Sequence, residues 1–176
     1  NLIEKLDTSM SSVLNIFSPD KTYSVNFYSV MTEGIVPEYR QHINLLSKEG
    51  TFKDFSLNTN TVPAFNGFSP DGSYAIGNYQ GNDFKTHIFS ITKDGILTDK
   101  TIDANLGLNI TGFSPDNSYA VGNYQSSDMK QHAVLIGKDG SISDKIIENA
   151  YGISSCGFSP DGSYSLVSYQ KANDPS

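Results

Sequence analysis

Apolar and polar residues interleave along this chain in short stretches, and tight-turn signals separate one stretch from the next. In the best-defined region, Ser-Pro-Asp-Asn at 114–117 has a proline that sets the first corner of a turn, and Lys-Asp-Gly at 138–140 forms a second turn. The stretches between these turns are rich in β-branched, aromatic and small apolar residues. The pattern predicts four short antiparallel strands, called a to d here, at residues 108–114, 118–125, 131–137 and 141–148.

This four-strand unit recurs along the whole sequence. An FSPD turn begins at Phe17, Phe68, Phe113 and Phe158, so that successive copies are 51, 45 and 45 residues apart. Self-similarity with a period of about 40–50 residues, combined with four strands per period, is typical of β-propeller blades. The sequence therefore predicts an all-β fold, a β-propeller built of four-stranded antiparallel blades of about 45 residues, with about four blades in this chain.

The same period is kept at two further positions in the repeat. The three histidines, on strand c, are 45 residues apart, and so are three aspartates on strand d: His42, His87 and His132, with Asp54, Asp99 and Asp144. The six extra residues of the first period therefore lie between Phe17 and His42, in the b–c loop at 31–40. Each unit is thus predicted to have a constant scaffold of strands and turns and a variable b–c loop.

The chain is predicted to form a single domain over residues 1–176, with repeats at about 9–58, 59–103, 104–148 and 149–176. The last repeat contains only strands a and b, and residues 1–8 resemble an isolated strand d. Two arrangements follow. Residues 1–8 complete the last blade of a closed four-bladed ring, or the chain is a segment of a larger propeller. Open blade edges would also allow a homo-oligomer, since unpaired strands favour association.

Two features of the glycine pattern carry structural expectations. The last position of the FSPD turn is Gly72, Gly162 or Asn117 in three copies, which predicts a positive φ there. Gly77 and Gly122 lie in the middle of strand b, where glycine weakens a strand. Their presence predicts a close approach of the neighbouring blade.

Charge and composition exclude several function classes. The net charge is −7, the isoelectric point is about 4.7, and the 12 basic residues are scattered along the chain. A nucleic-acid surface requires a concentrated basic patch, so no nucleic-acid partner is expected. Neither an apolar run of the roughly 20 residues that span a membrane nor a signal-peptide pattern occurs in this sequence. The single cysteine, Cys156, excludes an internal disulfide and is expected to be a small buried residue.

The repeated polar residues are interpreted as scaffold rather than chemistry. Equivalent histidines on strand c of different blades would lie too far apart to share a metal ion, so each is predicted to hydrogen-bond within its own blade. The FSPD aspartates are expected to cap their own turns. Strand a lacks an acid–base pair at the position nearest the axis, which is occupied by Asn15, Asn66, Thr111 and Cys156. No catalytic residue, metal or cofactor is therefore predicted, and the chain is not expected to be an enzyme.

The copies diverge most in the b–c loops, which a propeller places on one face with the d–a loops. Variable loops on a repeated scaffold are where partner binding is expected. The candidate partner-binding residues are apolar or aromatic: Ile35, Val36, Tyr39, Phe84 and Met129. The alternative is that these side chains fold back over the rim. The favoured function is a non-enzymatic module that binds a protein or glycan, and the other hypotheses are a hydrolase or lyase with a site in the axial channel and a purely structural segment of a larger surface protein.

The segment GFSPDGSYAIG at 67–77, followed by His-Ile-Phe at 87–89, resembles the bacterial extracellular repeat of the HAF type. Residues 112–122 with His-Ala-Val at 132–134 are similar, although Asn117 replaces a glycine. The FSPDG core is also shared with WD40-like and TolB-like propeller repeats. The first copy departs at Lys21, and the chain has no tryptophan for a Trp-Asp blade end. The resemblance implies a β-propeller on a secreted, periplasmic or surface-associated bacterial protein and no particular reaction.

Overall fold

The computed structural model describes residues 11–31, 39–105 and 107–171, and every regular element among them is a β-strand. None of these residues forms a helix of the length and apolarity that crossing a membrane would require. The strands are β1 Ser11–Phe17, β2 Tyr23–Met31, β3 Tyr39–Ser47, β4 Phe52–Leu57, β5 Ala64–Phe68, β6 Tyr74–Gln80, β7 Thr86–Thr92, β8 Leu97–Ile102, β9 Asn109–Phe113, β10 Tyr119–Gln125, β11 Gln131–Gly137, β12 Ile142–Ile147, β13 Ala150–Phe158 and β14 Ser165–Lys171.

The strands form antiparallel sheets in which spatial order follows chain order. Strands β1 to β4, β5 to β8 and β9 to β12 each make a four-stranded sheet, and β13 and β14 make a two-stranded one. We call these sheets blades 1 to 4. The predicted a, b, c and d strands are confirmed: the strand expected at 108–114, for example, is Asn109–Phe113. The strand expected at residues 1–8 lies outside the described residues.

Consecutive blades pack face to face and bury an apolar core between them. Between blades 1 and 2, Val25 and Phe27 meet Tyr79 and Phe89. Between blades 2 and 3, the corresponding core includes Tyr74, Ile76, Ala120, Val134 and Ile136. Because blade 2 is covered on both faces, β6 and β7 are buried along nearly their whole length and show no apolar–polar alternation. Repeated antiparallel sheets stacked in this way are propeller blades, so the predicted fold class is confirmed.

In each copy of the FSPD turn, the aspartate accepts a hydrogen bond from the backbone N–H two residues further on. In blade 2, Ser69 Oγ donates to Asp71 Oδ1 at 2.8 Å, and that oxygen accepts the Ser73 backbone N–H at 2.9 Å. The expected positive φ is found at Gly72 (69°), and also at Lys21 (56°), where the glycine is replaced. The aspartates therefore cap their own turns, as predicted.

The explanation predicted for the mid-strand glycines is wrong in one respect. A Cβ at Gly77 would lie 2.1 Å from the ring of Phe89 and 2.5 Å from the carbonyl oxygen of Ala64, and both residues belong to the same blade as Gly77. Phe89 is opposite Gly77 on the adjacent strand and covers it. Gly122 is likewise crowded by Asn109 of its own blade. These glycines make room for their own sheet, not for the neighbouring blade.

Candidate functional site

The b–c turns and the linkers between blades lie together at one end of the strands. Asn82 N–H in the b–c turn of blade 2 donates to the carbonyl oxygen of Asn58 in the preceding linker at 2.9 Å. In blade 3, Ser127 Oγ donates to Asp103 Oδ2 at 2.7 Å. We call this end the b–c rim and define it by the turns 81–85 and 126–130, the linkers 58–63 and 103–105, and the start of β3. The shared face that the sequence predicts is present.

At this rim, two bulky apolar residues have a backbone conformation that is normally left to glycine or asparagine. Phe84 closes its turn by donating its N–H to Gly81 O at 3.0 Å and has a φ of 62°. Met129 does the same with Ser126 O at 3.0 Å and has a φ of 67°. A left-handed conformation costs an L-residue with a side chain roughly 1–2 kcal/mol. The turn therefore places a strained residue at its tip in two successive blades.

The side chains at these tips extend into solvent. Phe84 is 86% exposed and Met129 is 62% exposed, so neither folds back over the rim. Tyr39, at the first position of β3, is 55% exposed. Large apolar side chains in this state are available for contact with a partner.

Tyr39, Phe84 and Met129 occupy a single position of the repeat. Each precedes the strand c histidine by three residues, so that they are 45 residues apart along the chain. All three are among the candidates predicted from the sequence, but the six-residue insertion in the first b–c loop hides their equivalence when positions are counted from the FSPD turn. Counting back from the histidines would have found it. We call these three residues the rim row.

Ile35 and Val36, the other two candidate residues, lie outside the described residues. Their assignment to the partner-binding surface stays a prediction.

Charged groups of both signs lie beside the rim row, so this surface is not dominated by one charge. Lys130 Nζ lies 2.8 Å from Asp128 Oδ2. This lysine and the hydroxyl of Ser126 hold the pKa of Asp128 down at about 2. In the turn of blade 2, the Lys85 backbone N–H donates to Asp83 Oδ1 at 3.1 Å and lowers the pKa of that carboxyl group. Apolar side chains beside paired charges are the composition of a small protein–protein contact.

The repeated histidines belong to three nearly identical networks within their own blades. In blade 2, His87 Nδ1 lies 2.9 Å from Asp99 Oδ1, the Tyr79 hydroxyl donates to the other Asp99 oxygen, and the two rings stack with centroids 4.7 Å apart. Burial, followed by the bond to Asp99, raises the pKa of Tyr79. The equivalent networks join Tyr28, Asp54 and His42 in blade 1, and Tyr124, Asp144 and His132 in blade 3. The prediction that each histidine bonds within its own blade is confirmed.

The third network differs from the second at the imidazole Nε2. His87 Nε2 lies 3.1 Å from Asp83 Oδ1, whereas in blade 3 the equivalent Asp128 is paired with Lys130 instead. No side chain in the described residues bonds His132 Nε2. His132 lines an open cleft of about 680 Å³ between blades 2 and 3, together with Lys100. Lys100 takes the place of Phe55, which packs into the core between blades 1 and 2.

The cleft offers an imidazole but no activated nucleophile among its described residues. The hydroxyl of Ser126, which also lines the cleft, is hydrogen-bonded to Asp128 and to the Lys130 carbonyl oxygen at 3.2 Å. Within the described ranges, no three His, Cys, Asp or Glu side chains converge so that they could hold a metal ion.

On strand a, two of the positions predicted to lie nearest the axis, Asn66 and Thr111, are engaged in their own sheets. Asn66 Oδ1 accepts from Asn78 Nδ2 at 2.7 Å, and Thr111 Oγ1 donates to the Val121 carbonyl oxygen at 3.0 Å. The side chain of Cys156 lies outside the described residues. Asn66 and Thr111 therefore serve their own sheets.

Comparison with known proteins adds little to these observations. No protein-family model matches the chain, and no curated protein matches it. Among solved structures, it is similar to the β-propeller domain of the trilobed protease from Pyrococcus furiosus, described as having an open velcro topology. The identity is 12%, the TM-score is 0.49, and the match covers 85% of this chain and 46% of that one. The chain thus spans less than half of that structure, and the fold assignment rests on the sheets described above.

Proposed function

We propose that this chain is a non-enzymatic binding module that engages a protein or glycan partner through the b–c rim, and that the rim row, Tyr39, Phe84 and Met129, makes the contact. The observation that carries the proposal is the pairing of exposure with strain. Phe84 is 86% exposed, and its φ of 62° is unfavourable for any residue with a side chain. Strained residues in exposed turns are typical of binding sites, where the strain holds a side chain in its working position.

The composition of the row favours a protein over a glycan. A sugar-binding surface stacks aromatic rings against sugar faces, whereas the third position here is Met129, which is flexible and adapts to irregular apolar surfaces. A phenylalanine, a tyrosine and a methionine beside paired charges fit an extended apolar segment of another protein. The resemblance to HAF-type repeats supports placing this module on a secreted, periplasmic or surface-associated bacterial protein, where such a partner would be encountered.

The test compares the wild-type chain with a variant that carries Tyr39→Ala, Phe84→Ala and Met129→Ala. Both are immobilised and exposed to secreted and envelope proteins and, separately, to a glycan array. A ligand captured by the wild type is purified, and its dissociation constant is measured against both chains. We expect the triple substitution to weaken binding at least about 100-fold, because exposed aromatic anchors dominate such contacts.

Lys21→Ala serves as the matched control, since Lys21 also has a positive φ but lies in an FSPD turn at the opposite end of the strands. This control should bind like the wild type. Equal affinity of the triple variant and the wild type would show that the rim row is not the contact surface.

A further inference from the structure

The same aromatic contact joins every pair of consecutive blades. The tyrosine that begins strand b of one blade meets the FSPD phenylalanine of the next blade, with ring centroids 5.6–5.9 Å apart. The three pairs are Tyr23–Phe68, Tyr74–Phe113 and Tyr119–Phe158. Each blade therefore has a leading face that presents its phenylalanine and a trailing face that presents its tyrosine.

A glycine notch on the trailing face receives the incoming phenylalanine. A Cβ at Gly67 would lie 3.2 Å from the ring of Phe113, and one at Gly112 would lie 3.0 Å from the ring of Phe158. At the equivalent Gly157 of blade 4, no atom of the described residues lies within 4 Å of that position. Among these residues, nothing fills the notch of blade 4.

The rest of the trailing face of blade 4 is exposed in the same way. Tyr164 is 57% exposed and Leu166 is 61% exposed, whereas their equivalents in blade 2, Tyr74 and Ile76, are completely buried at 0%. Blade 3 covers those equivalents. Blade 4 thus presents an apolar surface that every earlier blade buries.

The leading face of blade 1 is the counterpart of this surface. Phe17 is 64% exposed, whereas its equivalents Phe68 and Phe113 are partly buried against the preceding blade. Leu46, which shares this face because both it and Phe17 pair with Ser24, is 38% exposed. The phenylalanine that would fit the empty notch therefore lies on the surface at the other end of the chain.

A charge difference matches these two faces to each other. Between blades the FSPD turns are in contact: a Cβ at Gly72 would lie 3.3 Å from Asp20 Oδ1, and a Cβ at Gly162 would lie 2.6 Å from Asp116. The position that faces the aspartate of the preceding turn is thus glycine inside the array, or Asn117. In blade 1 it is Lys21, and the aspartate that the same register would bring opposite it is Asp161 of blade 4. The lysine occurs only at the terminal face, where it would meet this carboxylate.

We propose that a second copy of this chain packs head to tail on the first, with the leading face of blade 1 on the trailing face of blade 4. Phe17 of one copy would enter the Gly157 notch beside Tyr164 of the other, and Lys21 would pair with Asp161. The described residues leave both faces exposed, and the leading face of blade 1 complements the exposed trailing face of blade 4 in shape and charge. Two copies bring together six four-stranded sheets and two two-stranded ones, within the four to eight blades of closed propellers, so two equivalent junctions make a closed dimer.

Sedimentation velocity of the whole chain tests this proposal through two variants, Phe17→Asp and Leu166→Asp. Both positions are exposed, so both variants are expected to fold, which circular dichroism melting checks. Wild type should sediment as a dimer. Each variant alone has a damaged contact at both junctions, and its dissociation constant should rise about 100-fold or more, because each junction would bury an unpaired carboxylate.

Mixing the two variants distinguishes head-to-tail packing from other arrangements. The mixture restores one junction in which both contacting faces are wild type, so it should form heterodimers at concentrations where each variant alone is monomeric. Lys21→Glu should weaken the dimer about tenfold at low salt and less at high salt, because the charge at the junction is reversed. Phe84→Ala, on the b–c rim, should leave dimerisation unchanged.

Three results would overturn the proposal. The first is a monomeric wild type at concentrations up to the millimolar range, whether its end faces stay open or close on each other within one chain. The second is a dimer that survives Leu166→Asp. The third is the absence of heterodimer in the mixture. None of these results bears on the b–c rim, so the proposed binding function stands or falls separately.

Discussion

Individual residues in this chain reveal their roles by the conformation that the repeat imposes on them. Lys21, Phe84 and Met129 all have a positive φ, at 56°, 62° and 67°. In three of the four FSPD turns the residue with a positive φ is glycine or asparagine, which tolerate this conformation. In the b–c turns of blades 2 and 3 it is a bulky apolar residue, which is strained. That contrast separates a turn that serves the scaffold from one that presents a side chain.

Replacing Phe84 or Met129 with glycine should therefore stabilise the fold. Removing the side chain relieves a left-handed strain of roughly 1–2 kcal/mol and adds some backbone entropy to the unfolded state. Because both side chains are mostly exposed, little packing is lost. We expect urea denaturation to show an increase of about 0.5–1 kcal/mol in the free energy of unfolding for each variant.

Lys21→Gly is the matched comparison for these two substitutions and should be stabilised to a similar extent. A decrease in the stability of Phe84→Gly, alongside an increase for Lys21→Gly, would mean that the Phe84 ring packs on the rim and is not held out for a partner.

The Tyr–Asp–His networks can be tested in blade 2, where the geometry is best. Asp99→Ala leaves the buried hydroxyl of Tyr79 and Nδ1 of His87 without their acceptor. We expect the free energy of unfolding to fall by about 2 kcal/mol, as is typical when buried donors lose their partner. Alkaline spectrophotometric titration should also show a lower pKa for Tyr79, since one cause of its upward shift is removed.

Asp94→Ala, in the exposed c–d turn of the same blade, controls for the loss of a carboxylate. It should leave both the stability and the tyrosine titration unchanged. If Asp99→Ala behaved like Asp94→Ala, the network would contribute nothing to the fold.

At the scale of elements, turn chemistry made the strands predictable. The Ser-Pro-Asp turns and the Lys-Asp-Gly turn mark strand ends directly, which is why strand d, expected at 141–148, is found as Ile142–Ile147. The reason for the mid-strand glycines was predicted wrongly. Sequence spacing cannot show that Phe89 on the neighbouring strand lies across Gly77, because the ring orientation depends on packing against blade 1.

Gly77→Ala should be costly because the new methyl group has no room. Its Cβ would lie 2.1 Å from the Phe89 ring and 2.5 Å from the carbonyl oxygen of Ala64, and a backbone atom cannot move aside cheaply. Thermal or urea denaturation should show a loss of about 2–3 kcal/mol, in the range of overpacked cores.

Gly152→Ala, in strand β13, is the matched control, because nothing lies within 4 Å of its Cβ position and its φ is not positive. It should be neutral or slightly stabilising. Equal effects at the two positions would mean that the loss at Gly77 arises from strand propensity and not from crowding.

In the whole molecule, each blade is joined to the next by a contact between its strand b tyrosine and the FSPD phenylalanine that follows, and Gly67 and Gly112 make room for that phenylalanine. The stability of the molecule should therefore be close to a sum of contacts between neighbouring blades, as in other repeat proteins. Among the described residues, the last hairpin, β13 and β14, packs against one blade, blade 3, with the ring of Phe158 on Tyr119 and Gly112. That hairpin should be the least stable unit among the described residues.

Phe158→Ala should uncouple this hairpin without unfolding the remainder. We expect amide hydrogen exchange in residues 150–171 to accelerate about tenfold or more, because the local opening free energy depends on this contact. Exchange in β5 to β8 should be unchanged. The control is Phe113→Ala, which removes the equivalent contact between blades 2 and 3 and should accelerate exchange in both of those blades. If Phe158→Ala instead accelerated exchange equally in all blades, the blades would unfold as one cooperative unit.

The sequence by itself determined the period, the turns, the four-strand unit and the structural role of the histidines, because each depends on local chemistry that every copy repeats. It also selected Tyr39, Phe84 and Met129 as divergent loop residues. Only the tertiary structure decided that these three occupy one row at the rim and that two of them are strained. It alone showed that the two end faces of the described stack are exposed. Those properties depend on which surfaces neighbouring blades cover, and coverage is a property of packing that no single repeat encodes.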